Sequence, residues 1–272
     1  MTGTRPLAGP QFLQEHVGKI KSRMGGFVPG SHVSVRGVDL HETFKQGDWL
    51  DLYVFAITGR RVNAAQLKMI QAIWAYTSYP DARLWNNRVA ALAGSARSTG
   101  ALGISAALAV SEATIYGGGI FLPSITFLKK TCDAVKAGAS LADCVREELD
   151  IRRSIAGYGR PLTSKDERIP YLLKLAEQLE MDQGPHLVLA KKIDDYMANG
   201  RWRMRMNYAG LAAALMADLG FTPREHYLLG ISTFIAGMQP CYIEALESPE
   251  GALFPVPCSH IAYMGKPTRA WR

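Results

Sequence analysis

From Asp39 onward one pattern dominates the chain: apolar residues three and four apart, in segments separated by short breaks. A 3.6-residue repeat gathers such positions on one stripe of a helix, and the period-two alternation of a strand is almost missing. A bundle of helices is the fold this pattern allows. Helical segments are expected over 48–58, 64–76, 88–111, 123–138, 140–155, 170–181, 185–197, 207–219 and 223–247. Asp39 and Asn63 stand where helix N-caps belong, and several segments begin beside a proline, whose missing N–H costs little in a first turn. Asp81 and the pair Asn86 and Asn87 are expected to bracket a turn. The glycine triplet 117–119 and the GYGRP run at 157–161 read as breaks. Residues 1–30 are rich in Gly and Pro and read as a loose arm with one short helix around 11–23. SHVSVRG at 31–37 alternates and ends in glycine, which suits a short strand or a hairpin arm. The expected class is all-α with one small β-arm.

Two segments are crowded with small residues, RVAALAGSARSTGALGISAALAVS at 88–111 and NYAGLAAALMADLG at 207–220. Gly, Ala and Ser at that density let helix axes approach closely, so these segments are expected at the packed centre or at a subunit interface. That is a packing signal and carries no chemistry.

Composition narrows the class further. With 272 residues, 48% of them hydrophobic and 20% charged, the chain has an ordinary globular balance, which excludes collagen-like, mucin-like and largely disordered classes. Its 31 Lys and Arg against 24 Asp and Glu give a formal charge of +7, which favours anionic partners without naming one. Cys132, Cys144, Cys241 and Cys258 form no C-x-x-C pair and no ligand spacing with histidine, so reduced thiols and no metal are expected. The first residues lack the apolar run of a signal peptide, and the uncharged stretches at 113–128 and 227–243 are interrupted by glycine and proline. A soluble, cytoplasmic protein with no membrane partner is the expectation. RWRMRMNY at 201–208 interleaves basic and apolar residues, but contact with an anionic ligand or a domain interface is preferred to nucleic acid. Neither a Walker A pattern nor a strand-associated GxGxxG occurs.

The order of the pieces resembles the citrate synthase superfamily. SVRGVDLHE at 34–42 resembles its β-arm and R-G-x-D-[IL] helix start. ITGRRVNAAQL at 57–67 resembles its L-x-x-G-x-x-P-[ST]-x-x-[EQ]-L turn, with Val62 in place of the proline. IYGGG at 115–119 resembles the loop L-H-G-G-A, and IAGYGRPL at 155–162 resembles I-P-G-F-G-H-P-[LV]. KDER at 165–168 resembles the D-P-R that follows, one residue closer. NYAGLAAALMADLGF at 207–221 is similar to N-V-D-G-A-x-A-x-x-x-x-D-L-G-[FI], and AYMGKPTRAW at 262–271 to the closing R-Y-[VT]-G-x-x-x-R-x-W. The resemblance runs from about residue 33 to the end, and the length places the chain with the short, citryl-CoA-lyase-like members.

That resemblance implies an all-α homodimer of two-domain subunits. A large domain would take in 1–116 and 210–272, and a small domain, 117–209, would close over the cleft. It also implies a CoA thioester as substrate and the making or breaking of a C–C bond between a thioester enolate and a keto acid. Such chemistry needs a base for a weakly acidic C–H, a donor for the enolate oxygen and a donor for the acceptor carbonyl. In the family these are the aspartate of N-V-D-G, the histidine of H-G-G and the histidine of G-F-G-H. Here they align with Ala209, Tyr116 and Arg160. A phenol can donate to a thioester oxygen and a guanidinium can polarise a carbonyl, but alanine accepts no proton. The family's usual mechanism is therefore not expected.

Arg168 aligns with a carboxylate-binding arginine, and Asn207, Gly117 and Gly118 with the substrate loops. Gly157 and Gly159 are expected to bring backbone close to the CoA moiety. His260 stands where the family has an arginine–proline pair and is a candidate for the missing base, as is Glu112, four residues before Tyr116. Two readings stay open. One is an enzyme of citryl-CoA-lyase type with altered chemistry, and the other is a catalytically silent CoA- or carboxylate-binding or assembly protein on the same fold.

Overall fold

A computed structural model describes residues 9–18, 20–114, 117–160, 165–253, 257–267 and 269, without the side chain of Cys258. The chain divides into two compact units, Met1–Leu67 and Lys68–Arg272.

In the first unit α1 (Pro10–His16) precedes an antiparallel meander of β1 (Gly25–Val28), β2 (His32–Val35) and β3 (Val38–Asp39), in that order. Gly25 faces Val35, and Ser34 faces Asp39. The strand read from SHVSVRG is β2; β1 escaped notice because GGFV has no alternation and its side chains are exposed. Asp39 caps the short α2 (Leu40–Thr43), accepting from the N–H groups of His41 at 2.9 Å and Glu42 at 3.0 Å. Asp48 caps α3 (Trp49–Thr58), which ends on Gly59 in the left-handed region. Arg36 clamps the meander to α3, donating to the carbonyls of Ala56 and Ile57 at 2.9 Å each. Phe44, Val54 and Phe55 make the core, the two rings 5.6 Å apart. Asn63 and Gln66 then exchange a reciprocal cap at the start of α4 (Ala64–Thr77), as the placement of Asn63 anticipates.

The second unit is helical throughout: α5 (Trp85–Ser95), α6 (Gly100–Ser111), α7 (Phe121–Lys136), α8 (Leu141–Arg152), α9 (Ile169–Gln178), α10 (Pro185–Asn199), α11 (Tyr208–Asp218), α12 (Pro223–Gly230) and α13 (Ile235–Glu247). Of the two small-residue segments, 207–220 lies at its centre, whereas 88–111 keeps an exposed face. Tyr208 and every residue from Gly210 to Ala217 of α11 are buried, against α7 and α10. Ala90, Ala107 and Met238 lock α5, α6 and α13 together. A Cβ on Gly103 would come within 2.7 Å of Ala93 Cβ, so the helices meet closer than larger side chains permit.

Three expectations need correction. The segment 88–111 is two helices, parted at Arg97 (φ 59°), whose guanidinium reaches the carbonyls of Leu246 at 2.6 Å and Ser248 at 2.7 Å. A cation seated on the last carbonyls of α13 offsets the cost of that break. The segment 223–247 is likewise two helices joined by a 3₁₀ turn, Ile231–Phe234. Asn86 and Asn87 lie inside α5 rather than in a turn. They are buried because their amides bond Ser111 Oγ at 3.1 Å and the carbonyl of Asp81 at 3.1 Å. Asp218, from the D-L-G motif, caps α10 by accepting from the N–H of His186 at 2.8 Å and of Leu187 at 2.9 Å, with His186 Nδ1 2.7 Å away. Among the described residues no helix is long and apolar enough to cross a membrane.

Candidate functional site

The N-terminus of α11 is where the expected site residues gather. Asn207 caps the helix with its side-chain oxygen, 3.2 Å from the N–H of Gly210, while its Nδ2 donates to the carbonyl of Gly159 at 2.9 Å. Its backbone N–H donates to Gly157 O at 2.9 Å, and the N–H of Gly159 donates to Arg205 O at 2.7 Å. The loop between α8 and α9 is thus laced to the start of α11. Gly157 has φ 93°, and a Cβ there would lie 2.7 Å from the Cα of Gly210. Both glycines are required by the meeting of two backbones. Between them Tyr158 is buried, and its hydroxyl donates to Ala190 O at 2.9 Å; burial pushes its phenol pKa well up.

Four charges surround this point. Arg168 forks onto Asp166, Nε to Oδ1 at 2.8 Å and Nη2 to Oδ2 at 2.7 Å, and the same Oδ2 accepts from the N–H of Tyr208 at 2.9 Å. The Asp166 side chain is 1% exposed. Burial alone would raise its carboxyl, but the Arg168 fork and the helix N–H groups bring it below the usual carboxylate range. Arg168 lies 4.4 Å over the ring of Tyr208 and 5.5 Å over that of Tyr79, and among the described residues its Nη1 has no hydrogen-bond partner. Arg160 forks onto Glu167 at 2.6 and 3.2 Å and donates to Lys165 O at 2.7 Å. The Tyr79 hydroxyl lies 3.4 Å from Glu167 Oε1. That pairing lowers the Glu167 carboxyl and raises the Arg160 guanidinium. Burial raises the phenols of Tyr79 and Tyr208. Ala209, half-buried, follows Tyr208 in the first turn.

Other candidates are placed differently. Tyr116 lies outside the described residues. Gly117 and Gly118 are buried, folded back on the Ser111 carbonyl at the end of α6. Glu112 accepts from the Tyr227 hydroxyl, which raises that phenol. His260 sits exposed in a 3₁₀ turn, Cys258–His260, and among the described residues its ring makes no hydrogen bond or ion pair. The basic run at 201–208 is largely neutralised or stacked: Arg205 pairs with Asp194 at 2.7 Å, and Arg201 lies 4.7 Å over Trp202. It borders an open hollow of about 650 Å³ that Arg146, Asp150 and Asp195 also line. Cys132 and Cys241 are buried free thiols.

Asp166, Glu167, Tyr79 and Tyr208 were not singled out from the sequence. The two carboxylates were legible as the acidic half of KDER, beside an arginine already marked. The tyrosines, from α11 and the segment after α4, carried no such signal.

No protein-family model and no curated protein matches the sequence. Solved structures do match by fold. Citryl-CoA lyase from Hydrogenobacter thermophilus superposes with a TM-score of 0.80 at 19% identity, covering 93% of this chain and 97% of that one. ATP citrate lyase from Methanosaeta concilii, in complex with (3S)-citryl-CoA, gives 0.73 at 16% identity; 98% of this chain covers 46% of that protein. Citrate synthase from Thermoplasma acidophilum gives 0.63 at 17% identity, over 82% of this chain and 58% of that one. The chain thus has a mostly helical fold like that of citryl-CoA lyase and citrate synthase.

Proposed function

We propose that the chain acts on a CoA thioester of a polycarboxylate, breaking or making a C–C bond in the manner of a citryl-CoA lyase, with altered active-site groups. One observation carries the reading: two arginine forks, Arg160 and Arg168, stand beside the first turn of α11, where the resemblance puts the reacting centre. Two of the structures that share the fold are ATP citrate lyases holding citryl-CoA, or citrate and coenzyme A, which supports a ligand of that class. In this reading Arg168 uses its open Nη1 to bind a substrate carboxylate, and Arg160 polarises the acceptor carbonyl. Tyr116 donates to the thioester oxygen. Gly117 and Gly118, Gly157 and Gly159, and the Asn207 cap fix the backbone against which the ligand lies, and residues 117–209 close over it. Among the described residues no hydrogen bond or ion pair holds His260 to this cluster, so it is not preferred as the base.

A ligand reaching Arg160 also meets Glu167, whose side chain is 54% exposed. We also propose a homodimer: Leu92, Leu102, Val110, Ile243 and Leu246 of α5, α6 and α13 are exposed apolar side chains on one group of packed helices.

The second reading, a silent binder, is favoured by Ala209 and by the pairing of both guanidinium groups with carboxylates of the chain itself. Titration calorimetry with CoA, acetyl-CoA, citrate and oxaloacetate tests both. Binding of citrate or oxaloacetate that weakens at least about tenfold in Arg168→Ala is expected; heat from none of the four ligands would remove both readings.

A further inference from the structure

We infer that Glu167 is the proton-transfer group of this site, working as a dyad with Arg160. The inference rests on the lyase reading above. A guanidinium at the reacting oxygen can stabilise charge, but it does not give up its proton in proteins, so Arg160 alone cannot move one. The carboxylate it holds can. Of the two cluster carboxylates, Asp166 is sealed, its side chain 1% exposed and its oxygens taken by Arg168 and the Tyr208 N–H. Glu167 is reachable, 54% exposed. Its position is fixed by Arg160 at 2.6 and 3.2 Å and by the Tyr79 hydroxyl at 3.4 Å. The groups facing it are thus Arg160, Tyr79 and the neighbouring Asp166–Arg168 pair, and the guanidinium keeps it ionised at neutral pH. Glu112 and His260 are engaged or exposed elsewhere.

In the cleavage direction Glu167 takes the proton of the substrate's tertiary hydroxyl while Arg160 stabilises the oxygen. The C–C bond breaks, its electron pair forms the thioester enolate, and the C–O bond becomes a carbonyl. The carboxylic acid then returns that proton to the enolate carbon, giving an acetyl thioester. One carboxylate serves both transfers, so an alanine at 209 does not interrupt the cycle.

The test uses the full-length chain with citryl-CoA as substrate, following acetyl-CoA release for wild type, Glu167→Gln and Glu167→Ala, the last with and without added formate. Expected is a loss of about 100-fold or more in kcat for both variants with KM little changed. Partial recovery of Glu167→Ala by formate but not by chloride, and CoA affinity by calorimetry equal to wild type, are also expected. A wild type that turns over, with variants that keep its kcat, overturns the role of Glu167 and leaves the lyase reading standing. A wild type that binds CoA but cleaves nothing overturns both. Rate lost together with CoA affinity, and not recovered by formate, makes Glu167 structural and also overturns the inference.

Discussion

Asp166 shows how much one side chain carries here. It holds Arg168, accepts from the first turn of α11 and lies beside Arg160, all with its carboxylate buried. Removing one member of a buried pair leaves an uncompensated charge, so Asp166→Ala is expected to lose about 3–5 kcal/mol in urea unfolding. Because its folded pKa lies below the ordinary one, the stability it contributes is present at neutral pH and disappears as pH falls through the folded value. His226 behaves differently. It is buried against Phe121, among the described residues its Nε2 has no hydrogen-bond partner, and burial lowers its pKa to about 4. The unfolded chain binds this proton below its ordinary value of 6.5 and the folded chain does not until about 4, so stability falls as pH drops between them. The loss is on the order of 3 kcal/mol. Unfolding free energies at several pH values should show a shallower slope in His226→Leu over that window; an unchanged slope would locate the effect elsewhere. KDER makes Asp166 legible as a residue, but neither its role nor that of His226 can be read from the sequence, because burial is what gives each its role.

At the scale of elements, periodicity and small-residue density were readable, and α11 is as central as its composition implies. The breaks were not. The 88–111 segment looks continuous because the reason for its interruption, Arg97 seated on α13, lies 149 residues away in the chain at Leu246. The glycine-rich loop shows the same limit from the other side: its glycines were marked for ligand approach, and Gly157 meets Gly210 of α11. A methyl there forces two backbones apart. Gly210→Ala is expected to cost roughly 1–3 kcal/mol and to weaken CoA binding, since the loop and the helix start move together. Thermal melting and calorimetry of that variant check both effects. Full stability in Gly210→Ala would mean the contact is looser than described.

At the scale of the whole molecule, motif order was enough to name the fold, because order and spacing survive when individual residues change. Charge was less legible. The +7 of the chain suggested cations waiting for an anion, whereas Arg160, Arg168 and Arg205 each hold a carboxylate of the chain itself. Pairing depends on which loops meet, and that is a property of the folded state. Association is testable at this scale: light scattering should give a dimer, shifted toward monomer by Leu102→Asp, and a wild-type monomer at all concentrations would remove the proposed interface.

The most direct test of what the site does is the release of acetyl-CoA from citryl-CoA by the full-length chain, compared with Arg160→Ala. Turnover by the wild type, reduced about 100-fold or more in the variant while CoA is still bound, is the predicted result. A wild type that neither binds citryl-CoA nor releases acetyl-CoA from it would contradict the reading.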